Sequence, residues 1–197
     1  MSPLQAMERS YGALKTMLRD GSLAPGHRLE AVRLADEIGV SMTPVRDALN
    51  RLVGEQLVEA NAGDGFHVPR MSEADLRDLY EWHSALVIMA VSTARAHPRT
   101  DDLEAALGVA SAAEAASIGF ELIAEASANR ELRLAIRNAA DRLHAYRQIE
   151  QVALAASPDE LVPVLTPGAG QRPAIRRYHL ARMRAVPELL AVRAGRK

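Results

Sequence analysis

LADEIGVSMTPVRDALNRL, residues 34–52, is the stretch that decides the fold. Leu34, Ala35 and Ile38 stand three and four residues apart, the spacing of one helical face. Gly39 interrupts the pattern, because glycine accepts the left-handed backbone that follows a helix end. Ser41 offers an N-cap oxygen, and Pro44 falls in the first helical turn, where a missing N–H costs little. Val45, Ala48, Leu49, Leu52 and Val53 then draw a second apolar stripe that ends near Gly54. The string predicts two helices across a glycine turn, with Thr43, Arg46, Asp47 and Asn50 on the side away from the stripe.

Upstream, Leu4, Met7, Tyr11, Leu14 and Leu18 predict a helix over 3–19, stopped by Gly21 and followed by a Pro25-Gly26 turn. The second helix is read from Leu29 to Ile38. Downstream, residues 56–59 and 65–68 read as short strands around the turn-rich Asn61-Ala62-Gly63-Asp64, which makes a hairpin. Three helices and a hairpin within 70 residues is the order of a winged helix-turn-helix. An outward helix N-terminus bearing hydroxyls and an arginine suits the major groove of double-stranded DNA: the backbone N–H groups and helix dipole favour phosphate, and Arg46 reaches phosphate or a guanine edge. The candidate DNA-binding residues are Arg33, Ser41, Met42, Thr43, Arg46, Asn50, Gly63, Gly65 and His67. The competing role for Arg46 is a surface ion pair with Asp47 or Glu37.

After Pro69 the pattern becomes wholly helical, so the expected division is 1–70 and 71–197. Ser72, with Asp75 three residues on, caps a long helix over 72–97 whose inner face carries Leu76, Leu79, Tyr80, His83, Leu86, Val87 and Ala90. Further helices are expected over 101–116, 118–127 and 130–156, the last capped by Asn129. A Pro/Gly-broken stretch over 157–173 leads into a final helix over 174–186, weakened at Pro187. The fold class is therefore mainly α, a winged helix-turn-helix followed by an all-α bundle.

The chain has 197 residues, 48% hydrophobic and 25% charged, with a formal net charge of -1, so it is not globally basic. Cysteine is absent, which excludes a disulfide scaffold, a thiolate metal site and a cysteine nucleophile. Aromatic residues make up 4%, too few for a single-strand stacking platform. No apolar run sits behind a basic segment at the N-terminus, and no stretch is long enough to span a membrane, so a cytoplasmic location without membrane contact is expected. Charge is uneven: 8 basic against 9 acidic residues over 1–70, 8 against 15 over 71–170, and 8 against 1 over 171–197. The basic tail could meet the acidic middle, in this chain or a partner subunit, could meet phosphate, or could be a solvated helix. No phosphate loop, dinucleotide turn or His-Glu-x-x-His is present, so no enzyme activity is expected; His83, Glu121 and His179 are the sole candidate acid/base trio.

The N-terminal segment resembles the DNA-binding domain of the GntR family of bacterial transcription regulators. The resemblance runs from Gly21-Ser22-Leu23-Ala24-Pro25-Gly26 through Gly39-Val40-Ser41-Met42-Thr43-Pro44-Val45-Arg46-Asp47-Ala48-Leu49 to Gly65-Phe66-His67-Val68. Asp75-Leu76-Arg77-Asp78-Leu79-Tyr80-Glu81, Phe120 to Asn129 and His179-Leu180 resemble the ligand-binding domain of the FadR-type subfamily. That likeness implies a homodimer, an inverted-repeat operator and a small-molecule effector, commonly a carboxylate held by a divalent metal on one aspartate and three histidines. Carried over position by position, the aspartate falls on Ser117, the first histidine on Glu121, the second near Ser157 and the last on His179. The subfamily's opening-helix arginine, which meets the effector carboxylate, falls on His83. With two of the metal ligands retained at most, no metal or other cofactor is expected. His83, Glu121, Arg137, His144 and His179 are the candidate ligand-binding residues, unless the histidines are simply satisfied core groups. Two departures concern DNA. Met42 stands where the family usually has an arginine, and the wing (Asn61, Ala62, Asp64) lacks a cation. Both predict weaker non-specific binding with a shallow salt slope, and they keep open a second reading in which the fold survives as a ligand-sensing or protein-interaction module.

Overall fold

The Ser2 hydroxyl accepts a hydrogen bond from the Gln5 backbone N–H while the Gln5 side-chain oxygen accepts one from the Ser2 backbone N–H, a closed capping box that, with Pro3, starts α1 (Pro3–Arg19). The computed structural model describes residues 2–61, 63–94, 98–109 and 111–195. Ala62 of the predicted wing, residues 95–97 at the end of the predicted long helix, and Arg196 and Lys197 of the basic tail lie outside the described residues. The chain forms two compact units that divide between Met71 and Ser72.

In the first unit, α1 is followed by β1 (Arg28–Leu29), α2 (Ala31–Ile38), α3 (Met42–Gly54), β2 (Glu59–Asn61) and β3 (Gly65–His67). α1 packs on α3, burying Leu14 and Leu18, whereas Leu4 is exposed. Gly39 closes α2 at φ +73°, a backbone that costs an L side chain about 1–2 kcal/mol. Val45, Ala48, Leu49 and Leu52 of α3 are wholly shielded from solvent, and the core closes with Leu29, Leu34, Ile38, Leu57, Val58 and Val68. Full burial of each leucine contributes about 1.5–3 kcal/mol.

Three features here differ from the sequence reading. Leu29 belongs to a strand rather than to α2. It pairs with Phe66 while Arg28 pairs with His67, so β3 lies between β1 and β2 in a three-stranded antiparallel sheet. β2 starts at Glu59, three residues later than expected, because Gln56 takes a left-handed turn at φ +59° and sends Leu57 and Val58 into the core. Ser41 occupies the N-cap position of α3, but its side chain makes no capping hydrogen bond.

The second unit begins at α4 (Glu73–Thr93), where Ser72 and Asp75 form the expected capping box. It continues through α5 (Thr100–Leu107), α6 (Ala112–Glu125), α7 (Arg130–Leu154), a 3-10 turn at Pro158–Leu161, α8 (Val162–Leu165), α9 (Gln171–Arg184) and α10 (Val186–Gly195). α4 packs against α7 and α9, α6 against α7, and α10 against α7. Asn129 caps α7 by accepting from the Glu131 and Leu132 backbones.

The helix break expected at 116–118 is absent. α5 ends at Gly108, Ser111 caps α6, and α6 runs unbroken through Ala116 and Ser117. Pro187 does not end the last helix; it sits in the first turn of a further one, α10, where its fixed φ suits helix initiation. The basic C-terminal segment does meet the acidic middle of its own chain, through Arg182 to Glu150 and Glu160.

Candidate nucleic-acid interface and interior polar cluster

α3 sorts its side chains by register. Pro44, Val45, Ala48, Leu49 and Leu52 face inward, while Ser41, Met42, Thr43, Arg46, Asp47 and Asn50 are exposed. Its two central arginines have opposite fates. The Arg51 guanidinium stacks on Tyr11 at 3.7 Å and pairs with Glu8 at 3.0 Å and Glu55 at 3.4 Å, which ties the rear of α3 to α1. Arg46 has no ion pair or hydrogen bond among the described residues, and Glu37, one proposed partner, is taken by Arg33 at 3.0 Å. Arg33 is thus an exposed member of an i,i+4 pair. Because Ser41 does not cap α3, the first backbone N–H groups of that helix keep their hydrogen-bonding capacity for an outside acceptor.

The wing carries Gly63 at φ +80° and Gly65 at φ +86°, both exposed. No atom lies where a side chain at either would go, so backbone conformation and not crowding calls for glycine there. Asp64 lies 3.4 Å from His67 Nε2, and His67 Nδ1 is buried without a partner. Ser41, Met42, Thr43, Arg46 and Asn50 share the outward side of α3 from its N-cap onward, whereas Arg33 and His67 lie beside neighbouring carboxylates.

The five candidate ligand residues fall into three places. Glu121 and Arg137 form a half-exposed ion pair joining α6 to α7, with Arg137 Nε 2.9 and 3.0 Å from the Glu121 oxygens and Glu125 on the same guanidinium. Ser117 donates to Ala113 O and accepts from His144 Nδ1 at 2.8 Å, leaving His144 Nε2 to accept from Gln148. His83 and His179 meet in the interior, Nδ1 to Nε2 at 2.8 Å.

The second unit's interior holds a polar cluster built on three helices. Tyr80 and His83 come from α4, Arg147 and Glu150 from α7, and Tyr178, His179 and Arg182 from α9; the α4 and α7 pairs are three residues apart, and Arg182 stands three and four residues from His179 and Tyr178, so each set shares a face. All are buried. Tyr80 donates to Glu150 Oε1 at 3.0 Å, and Arg182 Nε donates to Oε2 at 3.0 Å, so that carboxylate is fully engaged. Arg182 also reaches Glu160 at 2.8 Å and lies 3.5 Å over the Tyr178 ring. Burial, with Glu150 adding to it, pushes the Tyr178 phenol up to about 12.

The histidine protons can be placed. His179 Nδ1 lies 2.7 Å from Ile175 O, which only accepts, so Nδ1 carries the proton. His179 Nε2 must then accept from His83 Nδ1, leaving His83 Nε2 as a bare lone pair. That atom is buried with no partner. Burial pushes the His179 imidazole down to about 3, with Arg147 and Arg182 reinforcing it against the Ile175 bond. Burial and Arg147 hold His83 well below its ordinary range.

These residues do not fit the metal that the subfamily resemblance implies. The α6 side chain facing the histidines is Phe120, 4.6 Å from the His83 ring and 5.7 Å from that of His179; Glu121, one residue on and about 100° around the helix, points to Arg137. His179 spends its free nitrogen on His83, and the Arg147 guanidinium lies 4.9 Å over Phe120, where a second cation would be repelled. Among the described residues no three His, Asp or Glu side chains gather into a metal-binding group.

Arg147, Glu150 and Arg182 escaped the sequence reading, although a signal existed: Leu143, Arg147 and Glu150 follow one another at steps of four and three, which carries two charges along the buried stripe of α7.

Residues 6–68 match the model of the bacterial regulatory proteins of the gntR family. Over 169 residues the chain is 31% identical to the HTH-type transcriptional regulator McbR of Escherichia coli strain K12, covering 85% of this chain and 76% of McbR. The structure of E. coli McbR/YncC superposes with a TM-score of 0.63 at 25% identity, over 98% of this chain and 94% of that one. A structure from Rhodococcus sp. RHA1 described as a GntR transcriptional regulator has the same fold, with a TM-score of 0.68 at 18% identity over 97% and 98% of the two chains. No helix among the described residues is long and apolar enough to cross a membrane. A regulator's head with its outward arginine unengaged, on a chain that runs alongside McbR for most of its length, belongs to the GntR family of DNA-binding transcriptional regulators.

Proposed function

We propose that this regulator acts in the cytoplasm as a homodimer on an inverted-repeat operator, and that a small carboxylate effector held by its helical unit tunes DNA binding without a metal or other cofactor. Residues 1–70 serve as the DNA-binding domain and 71–197 as the ligand-binding and dimerisation domain. One observation carries the reading: Arg46 is exposed and unengaged at the front of α3, while Arg51, five residues on and also at the surface, is stacked on Tyr11 and paired with Glu8. A guanidinium left free on an otherwise well-paired helix is suited to phosphate or to a guanine edge. Two-fold symmetry in the protein would be mirrored in the operator. An apolar strip on α4 and α9 (Ile88, Met89, Leu180, Met183), flanked by Glu81 and Arg176, supports self-association. A ligand that prefers one arrangement of the dimer shifts the population between binding-competent and incompetent forms.

The test is an anisotropy titration against DNA upstream of the protein's own gene. Arg46→Ala should weaken binding by about 1–3 kcal/mol, roughly 5- to 150-fold. An unchanged affinity removes the proposed contact, and failure to bind any inverted repeat at low salt removes the function. Met42 and the cation-free wing favour a hold that is weaker and less salt-dependent than an arginine at residue 42 would give.

A further inference from the structure

The outward side of α3 carries one residue whose chemistry the proposed contact with DNA leaves unused. Met42, Arg46 and Asn50 follow one another at steps of four, so they form a single exposed row along the helix, beginning at its first residue. Arg46 offers donors, and Asn50 an amide with both donor and acceptor. Met42 offers neither: a thioether is at most a weak acceptor, and the rest of the side chain is hydrocarbon. It is one of three large apolar side chains that the described residues of the head leave exposed, with Leu4 on α1 and Val32 on α2. Leu4 and Val32 stand outside the α3 row, whereas Met42 leads it.

We infer that Met42 reads thymine: in each half-site its thioether end packs on the 5-methyl group of a T·A pair in the major groove. This rests on the DNA-binding role proposed above and adds a base preference to it. That methyl is the one alkyl group that any of the four base pairs shows on its major-groove edge; the other marks there are hydrogen-bond donors and acceptors. A methionine laid on a G·C edge covers guanine N7 and O6 or the cytosine N4 amine, strips their water and returns no hydrogen bond, which is unfavourable. Laid on thymine it buries apolar surface on both partners. The preference is therefore built from attraction to one base pair and a penalty against the others. It does not depend on salt, unlike a contact to phosphate, because no counterion is released. Burying one methyl group changes binding about 4-fold, and two-fold symmetry repeats the gain, for about 15-fold over both half-sites.

The probe is the DNA duplex that the full-length protein enriches from a random pool, with thymines replaced by deoxyuridine one symmetric pair at a time. Uracil keeps every hydrogen-bonding group of thymine and lacks only the methyl. Anisotropy titrations should find a symmetric pair at which uracil weakens binding about 15-fold, at low and at moderate salt alike. Met42→Ala should bind the thymine duplex more weakly than wild type does and should bind the thymine and uracil duplexes equally. Met42→Arg, which exchanges the methyl contact for a charged one, should bind more tightly and be equally indifferent to uracil. Thr43→Ser removes the methyl of the neighbouring exposed residue and keeps its hydroxyl, so it should retain the full wild-type sensitivity. The inference is overturned if uracil is tolerated at every position, if the sensitivity survives in Met42→Ala, or if Thr43→Ser abolishes it. Failure to bind any duplex at low salt overturns the DNA-binding role itself, whereas tight binding that ignores the methyl groups overturns the base preference alone, so the two failures are distinguishable.

Discussion

Acidification should loosen the helical unit well before its carboxylates titrate, and the buried histidine pair sets the size of the effect. His179 is held at about 3 against 6.5 when free, and His83 moves in the same direction. A depressed histidine contributes stability that is intact above the unfolded value and is lost as pH falls from there toward the folded value. The unfolded chain takes up a proton that the folded one refuses. At about pH 5 the unfolded His179 is almost fully protonated and the folded one almost fully neutral, a loss of ~2 kcal/mol relative to about pH 7.5. His83 adds a contribution of the same sign. The chain has one tryptophan, Trp82, on α4, so urea unfolding followed by its fluorescence reports the helical unit. His179→Gln removes the titration and keeps an amide to engage its neighbours. Its stability should differ from wild type by ~2 kcal/mol less at about pH 5 than at about pH 7.5. The Ser72–Asp75 cap, whose hydrogen bonds lower the Asp75 carboxyl, is present in both proteins and cancels in the comparison. A wild-type-minus-variant difference that is flat across that range would refute the neutral, buried pair.

Met42→Arg, at an exposed position, should tighten operator binding and steepen the dependence of log affinity on log salt by about one unit, read by anisotropy at several salt concentrations. Glu150→Ala leaves Arg182 and the Tyr80 hydroxyl without their buried acceptor and should cost about 3–5 kcal/mol in urea unfolding. Gly119→Val should destabilise by about 1–3 kcal/mol, because even a Cβ at residue 119 would stand 2.7 Å from the Leu165 side chain of α8; a thermal midpoint equal to wild type would show that α8 yields freely.

The head was readable because its punctuation is strong and local. Gly39 ends α2, the apolar stripe of α3 has clear phase, and Gly63 and Gly65 mark the wing. β1 was not readable, since two residues carry no periodicity and Leu29 joins the sheet through a distant partner, Phe66. In α6 the run of alanines offers little contrast between faces, so neither the true break at Gly108 nor the phase of the helix stood out. That phase decides the site: one residue's difference puts Phe120 inside and Glu121 outside. The charges on α7 went unnoticed for a related reason. A charged residue at a stripe position is ordinarily read as the edge of the stripe, and only the packing of α4, α7 and α9 shows that Arg147 and Glu150 lie within it.

The division of labour along α3 has an evolutionary and practical reach. Everything that fastens the helix, from Val45 through Leu52 to the Arg51 stack on Tyr11, is independent of the exposed letters at 42, 43, 46, 47 and 50. If those five positions read DNA as proposed, they form a replaceable cassette: drift there, or a randomised library in the laboratory, would redirect the head to a new promoter while the scaffold beneath stays intact.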